Sequence, residues 1–127
     1  MRALQIAAFV VCSGMKTLFE KIIAREIPAK IIWEDDDVLA FHDVNPQAPV
    51  HVLIVPKRAI SRLAEATESD QSLLGKLIFT ANKIAERLGL TASGYRLVIN
   101  NGPDAGESVP HLHVHLLGKR ALAWPPG

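Results

Sequence analysis

A single cysteine, Cys12, stands in a chain of 127 residues. An intrachain disulfide is therefore impossible, and a zinc site built on several thiolates is excluded. The lone thiol suits a reducing compartment, and the expected location is cytoplasmic. Neither sign of charge dominates: 14 basic residues face 13 acidic ones, for a net charge of +1. No single-sign field exists to hold nucleic acid directly or to hold a membrane by charge. No apolar run approaches the roughly 18–20 residues that a membrane span requires. Eight glycines and eight prolines are too few and too scattered for a disordered or low-complexity chain. What remains is an ordinary globular composition, 49% hydrophobic and 21% charged, at a length that makes one domain. Such a chain buries roughly two-thirds of its unfolded surface and needs no staples.

The N-terminus stands apart. Ala3 to Cys12 (ALQIAAFVVC) is apolar except at Gln5 and follows Arg2. The run has the length of a secretory h-region, but no A-x-A-like cleavage site follows it. A short apolar tail, or an upstream start codon with Met15 as the true start, suits it better. Residues 1–14 are therefore set aside as an extension, and 15–127 as the domain.

Thr17 with Glu20 has capping-box spacing, so a short helix begins there, and Pro28 should stop it. Lys30–Glu34 and Val38–His42 read as a hairpin around Asp35-Asp36-Asp37. Val50–Val55 is a third strand ended by Pro56, and a short helix is expected near Ile60–Ala64. Asp70 should cap the long helix, whose apolar residues from Leu73 to Leu88 follow the 3.6-residue period, and Gly89 should end it. Tyr95–Asn100 and His111–Leu117 are the last two strands. Strands in runs rather than strict β-α alternation predict an α+β fold with a largely antiparallel sheet.

His111-Leu112-His113-Val114-His115 alternates without a break. On a strand the three imidazoles share one face, about 6.6–6.8 Å apart by strand rise, while Leu112, Val114 and Leu116 point into the core. Two chemistries fit. His51, from another strand, could join two of these histidines around a metal; all three could not easily share one ion, because the outer pair is about 13 Å apart by rise. Alternatively, one imidazole is a nucleophile or general base whose neighbours fix its tautomer. The preceding loop holds Gly102, Gly106 and Ser108, with Asn100 before it. Backbone N–H groups freed by glycine and the neutral donors of Asn100 and Ser108 suit one phosphate. No Walker loop is present.

HLHVHLL (His111–Leu117) resembles the signature of the histidine triad (HIT) superfamily. The Leu18–Lys57 stretch, NNGPDAGESVPHLHVHLLG (Asn100–Gly118) and the terminal WPPG (Trp124–Gly127) resemble its Hint branch, the histidine triad nucleotide-binding proteins or purine nucleoside phosphoramidases. The resemblance covers residues 17–127. It implies a five-stranded antiparallel sheet with one long and one or two short helices per subunit, joined to a second sheet across a homodimer. It implies binding of purine nucleoside monophosphates and hydrolysis of P–N bonds, as in adenosine 5′-phosphoramidate, releasing AMP. Adenylating enzymes such as aminoacyl-tRNA synthetases are implied as partners, and no metal or other cofactor is required. His113 would attack the α-phosphorus and form a nucleotidyl-histidine. Asn100, backbone groups at Gly106 and Glu107, Ser108 and His115 would hold the phosphate, and His51, His111 or Ser108 would assist the leaving amine. Asp43 would accept from the ribose hydroxyls, with a rival role as a turn cap. Leu18, Phe19, Ile22, Ile27, Phe41, Val44 and Leu53 would form the base slot, with a plain core as the competing reading.

Two positions depart from that pattern. Glu107 stands where relatives commonly carry Gln, so contact with phosphate is expected through its backbone N–H and not its carboxylate. Pro110 stands where an aromatic is common, which a strand start tolerates. Trp124 resembles a tryptophan placed near the partner subunit's site. Dinucleoside polyphosphate hydrolysis, or nucleotide binding with incidental catalysis, are the alternative functions; His115, where transferases carry Gln, argues against nucleotidyl transfer.

Overall fold

The computed structural model describes residues 16–127. The expectations for residues 1–14 and for Met15 lie outside the described residues. The chain runs α1 (Leu18–Ile23), β1 (Ile31–Glu34), β2 (Val38–His42), β3 (Val50–Pro56), α2 (Gln71–Arg87), β4 (Tyr95–Val98) and β5 (Val114–Gly118). Single 3-10 turns lie at Leu63–Glu65, Glu68–Asp70 and Pro103–Ala105. The five strands form one sheet in the order β1-β2-β3-β5-β4, and every neighbouring pair is antiparallel.

The alternation of residues on the strands explains both layers. Val38, Ala40, Val52, Ile54, Leu112, Val114 and Leu116 pack with Leu77, Ala81, Ile84 and Ala85 of α2. Leu39, Phe41, Leu53 and Val55 point the other way and pack with Phe19 and Ile22 of α1. The long helix therefore covers one face, and the short one covers the face that carries the histidines.

The capping box of α1 forms as its sequence implies: Thr17 Oγ1 accepts from the Glu20 N–H at 3.1 Å, and Glu20 Oε1 accepts from the Thr17 N–H at 2.9 Å. The helix stops before Pro28, because Arg25 turns to φ 65° and the Glu26 N–H returns to the Lys21 carbonyl at 2.8 Å. That is a Schellman stop made without glycine. Gly89, at φ 72°, does end α2 as expected. Asp70 precedes α2, but its side chain faces backwards, accepting from the Thr67 N–H at 2.8 Å and pairing with Arg58. The short helix expected near Ile60–Ala64 is the single turn Leu63–Glu65.

The last two strands are shorter than expected. β4 ends at Val98, and β5 begins at Val114, so His111–His113 precede its ladder. The β3–β5 pairing stops at Ile54↔Val114. Beyond it the Leu112 N–H turns to the Ile60 carbonyl at 2.6 Å, and the Pro56 carbonyl is taken by the His111 ring at 2.8 Å.

Candidate active site

β3 and β5 are adjacent, with His51 opposite Leu117 and Leu53 opposite His115. His51 and His115 are thus diagonal neighbours on one face, within reach of each other. Their rings meet through His51 Nε2 and His115 Nδ1 at 2.9 Å. The His115 ring lies 4.9 Å from that of His113, and Phe19 of α1 stands edge-on to His113 at 4.9 Å and to His111 at 6.2 Å. α1 is thus the lid that buries the first two histidines: His111 is 1% exposed and His113 4%.

The hydrogen bonds assign every proton in this group. His113 Nδ1 lies 2.7 Å from the His111 carbonyl. A carbonyl only accepts, so Nδ1 carries the proton and Nε2 the lone pair. His111 Nε2 likewise donates to the Pro56 carbonyl. The backbone N–H of Gln47 donates to His51 Nδ1 at 3.0 Å, which puts the His51 proton on Nε2. His51 then donates to His115 Nδ1, leaving His115 with its own N–H at Nε2. Two ring lone pairs stay unused: that of His111 Nδ1, which is buried without a hydrogen-bond partner among the described residues, and that of His113 Nε2, beside the ring donor of His115.

Burial keeps these rings neutral near pH 7. It pushes His111, His113 and His51 below the ordinary histidine value. It pushes His115 down to about 4, with the neighbouring His113 and His51 adding to the effect. Asp43 opposes the shift at His51.

Asp43 plays the turn-cap role with one oxygen: Oδ1 accepts from the Asn45 N–H at 2.8 Å, while Oδ2 lies 3.5 Å from His51 Nε2. Asp43, His51 and His115 bring three ligand-type atoms within 4.8 Å of one another. The hydrogen-bond directions oppose a metal there. A metal-bound histidine donates from its free ring nitrogen, whereas His51 Nδ1 accepts from Gln47.

A cleft of ≈ 710 Å³ opens beside His51, lined by Pro28, Lys30, His42, Asp43 and Val44 among others, while His111, His113 and His115 do not line it. Of the apolar set expected at the base, Val44 is 95% exposed at this cleft. Phe19, Ile22, Phe41 and Leu53 are buried, with Ile27 packed against them, so these five build the core that floors the histidine face. Leu18 is part-exposed on α1.

Between β4 and β5, Asn100 and Ser108 are half-buried, and Gly102 and Gly106 take φ 86° and 77°. The loop uses its own N–H groups. Gly106 N–H donates to the Pro103 carbonyl at 3.1 Å, and Glu107 N–H to the Gly102 carbonyl at 3.2 Å. The Glu107 carboxylate is buried and held from two sides, by the Arg62 guanidinium at 3.0 Å and by the Gly102 N–H at 2.9 Å. Burial alone would raise this carboxyl, but Arg62 and the Gly102 N–H hold it below the ordinary glutamate value. Sequence reading missed Arg62, which lies 45 residues from Glu107, and the Gln47 backbone donor; neither sits in a motif.

The HIT domain family matches residues 24–122, and this chain belongs to it. An uncharacterized HIT-like protein of Synechococcus elongatus is 61% identical over 111 residues, covering 87% of this chain and 96% of that protein. The adenylylsulfatase HINT1 of Arabidopsis thaliana is 49% identical over 117 residues, covering 91% of this chain and 79% of that protein. The crystal structure of a HIT family hydrolase from Legionella pneumophila superposes with a TM-score of 0.86 at 46% identity, covering 88% of this chain and all of that one. The fold is thus the HIT fold, and the likeness to the plant relative favours its Hint-like branch. Among the described residues no helix is long and apolar enough to cross a membrane.

Proposed function

We propose that this protein is a nucleoside phosphoramidase that releases AMP from adenosine 5′-phosphoramidates. The observation that carries the reading is the proton assignment: a neutral His113 with its lone pair on Nε2, beside His115 with an N–H on Nε2. His113 Nε2 attacks the α-phosphorus, and the P–N bond breaks as the amine leaves with a proton. His115 donates to a phosphoryl oxygen as charge builds there. Water then attacks the phosphorus of the nucleotidyl-histidine, releases AMP and returns His113 to its starting state. Asn100 and Ser108 donate to the phosphate, and the free oxygen of Asp43 accepts from the ribose beside Val44. Ser108 assists the leaving amine, because the ring protons of His51 and His111 already go to His115 and to the Pro56 carbonyl.

A second reading shares the first step. The Arabidopsis relative is named an adenylylsulfatase. Adenylyl sulfate would transfer AMP to the same His113, with sulfate leaving in place of an amine. Sulfate leaves without a proton, whereas an amine must gain one. Rates of AMP release from both compounds, measured in EDTA as a function of pH, separate the two. The phosphoramidase reading expects faster turnover of the phosphoramidate, declining as pH rises. Preference for adenylyl sulfate would replace it with the second reading. AMP binding without turnover of either compound would leave a nucleotide-binding module.

The protein works as a homodimer joined across β4. Support comes from the sheet order, which leaves β4 at an edge, and from Phe79, 60% exposed on α2. Asn82 of the same helix accepts from the Tyr95 hydroxyl of β4 at 2.7 Å, so helix and edge strand share a flank. Arg96 of β4 also ties down the Ala123 carbonyl, next to the 81% exposed Trp124 that would reach the partner subunit.

A further inference from the structure

The loop that leads into the triad is closed by one acidic side chain. Glu107 is bound twice to Gly102, through its N–H at 3.2 Å and through its carboxylate at 2.9 Å. Arg62 grips the same carboxylate with two nitrogens, both at 3.0 Å. A second tie runs parallel, from the Ala64 N–H to Asn101 Oδ1 at 2.8 Å. The segment at Arg62–Ala64 therefore fixes the loop from outside at two points. The pair is unequal in exposure: the Glu107 side chain is 7% exposed and that of Arg62 26%. A carboxylate this buried, a few residues ahead of His111 and His113, would repel an anion if its charge stood alone.

We propose that Arg62 and Glu107 form a charge-compensating clamp that holds the 102–108 loop in place and keeps it receptive to the anionic group of a nucleotide. Arg62 is a positioning residue that acts through Glu107. The inference rests on the nucleotide reading given above and adds to it why a carboxylate is tolerated beside a phosphate. The net charge of the pair then decides affinity. Arg62→Met takes the guanidinium from a buried carboxylate ahead of the triad, and the double variant Arg62→Met/Glu107→Gln removes that negative charge as well.

The test is AMP binding by calorimetry, with steady-state cleavage of adenosine 5′-phosphoramidate and thermal melting, in the full-length protein. Arg62→Met should raise the AMP Kd and the KM about tenfold, while kcat stays within about threefold. Arg62→Met/Glu107→Gln should return both to within about threefold of wild type, and so should the charge-conserving Arg62→Lys. If Arg62→Met is too unstable to purify, Arg62→Gln replaces it, with and without Glu107→Gln. A single variant that melts lower yet binds AMP like wild type reduces the pair to a structural brace and overturns the proposal. A double variant no better than the single one also overturns it. If wild type binds AMP but does not cleave the phosphoramidate, the proposed activity fails while the Kd series still decides the clamp. A wild type that binds no AMP overturns both.

Discussion

His115 offers a prediction whose size and sign follow from its surroundings. Its imidazole titrates at about 4 in the folded chain, against an ordinary value of 6.5, first because it is buried and then because His113 and His51 lie beside it. Between those two values the unfolded chain holds a proton that the folded chain does not. Stability from this source is complete above about pH 6.5, falls as pH drops, and is lost by about pH 4. The full difference is worth about 3 kcal/mol. Replacing His115 by Gln removes the titrating group and keeps a polar side chain opposite His51. Urea unfolding of both proteins at about pH 7 and about pH 4.5 measures the effect, because titrating groups remote from His115 are the same in both and cancel. Wild type should lose about 2–3 kcal/mol more than His115→Gln over that interval. Parallel losses, within about 0.5 kcal/mol, would refute the view that His115 is held neutral by burial.

Two other substitutions probe separate links. A Cβ at Gly118 would sit 2.8 Å from Leu90 Cδ1 and 2.9 Å from Cδ2, and Leu90 is fully buried. Gly118→Ala should therefore cost about 1–3 kcal/mol and lower Tm by on the order of 5–10 °C; an unchanged Tm would mean that Leu90 has room to move. His51→Phe keeps a ring but removes the donor that sets the tautomer of His115. It should lower kcat for AMP release about tenfold or more, with the AMP Kd within about threefold; wild-type kcat would show that His115 needs no such partner.

The parts of this molecule that can be read from sequence are those carried by local pattern. Alternation from His111 to Leu116 separates histidines from core leucines, and the structure keeps that separation even where the strand ladder has ended. The Thr17–Glu20 box and the α2 stripe are equally local. What escaped depends on distant partners. β5 starts late because the Ile60 and Pro56 carbonyls take up Leu112 and His111, and neither carbonyl is visible in a motif. The tautomer of His115 depends on a Gln47 N–H that reaches it through His51. The apolar residues around Phe19 illustrate the opposite hazard: hydrophobicity marks them as a group, but only packing distinguishes the buried Phe41 from the exposed Val44.

The central claim is that His113, neutral and with its lone pair on Nε2, forms a covalent bond to the nucleotide phosphorus. Rapid acid-free quenching of the reaction with adenosine 5′-phosphoramidate, followed by intact and peptide mass measurement, tests it directly. The account predicts one adenylyl group per chain, located on His113, absent in His113→Ala, with AMP release by that variant lost as well. AMP release that persists in His113→Ala, with no adduct in either protein, would contradict it.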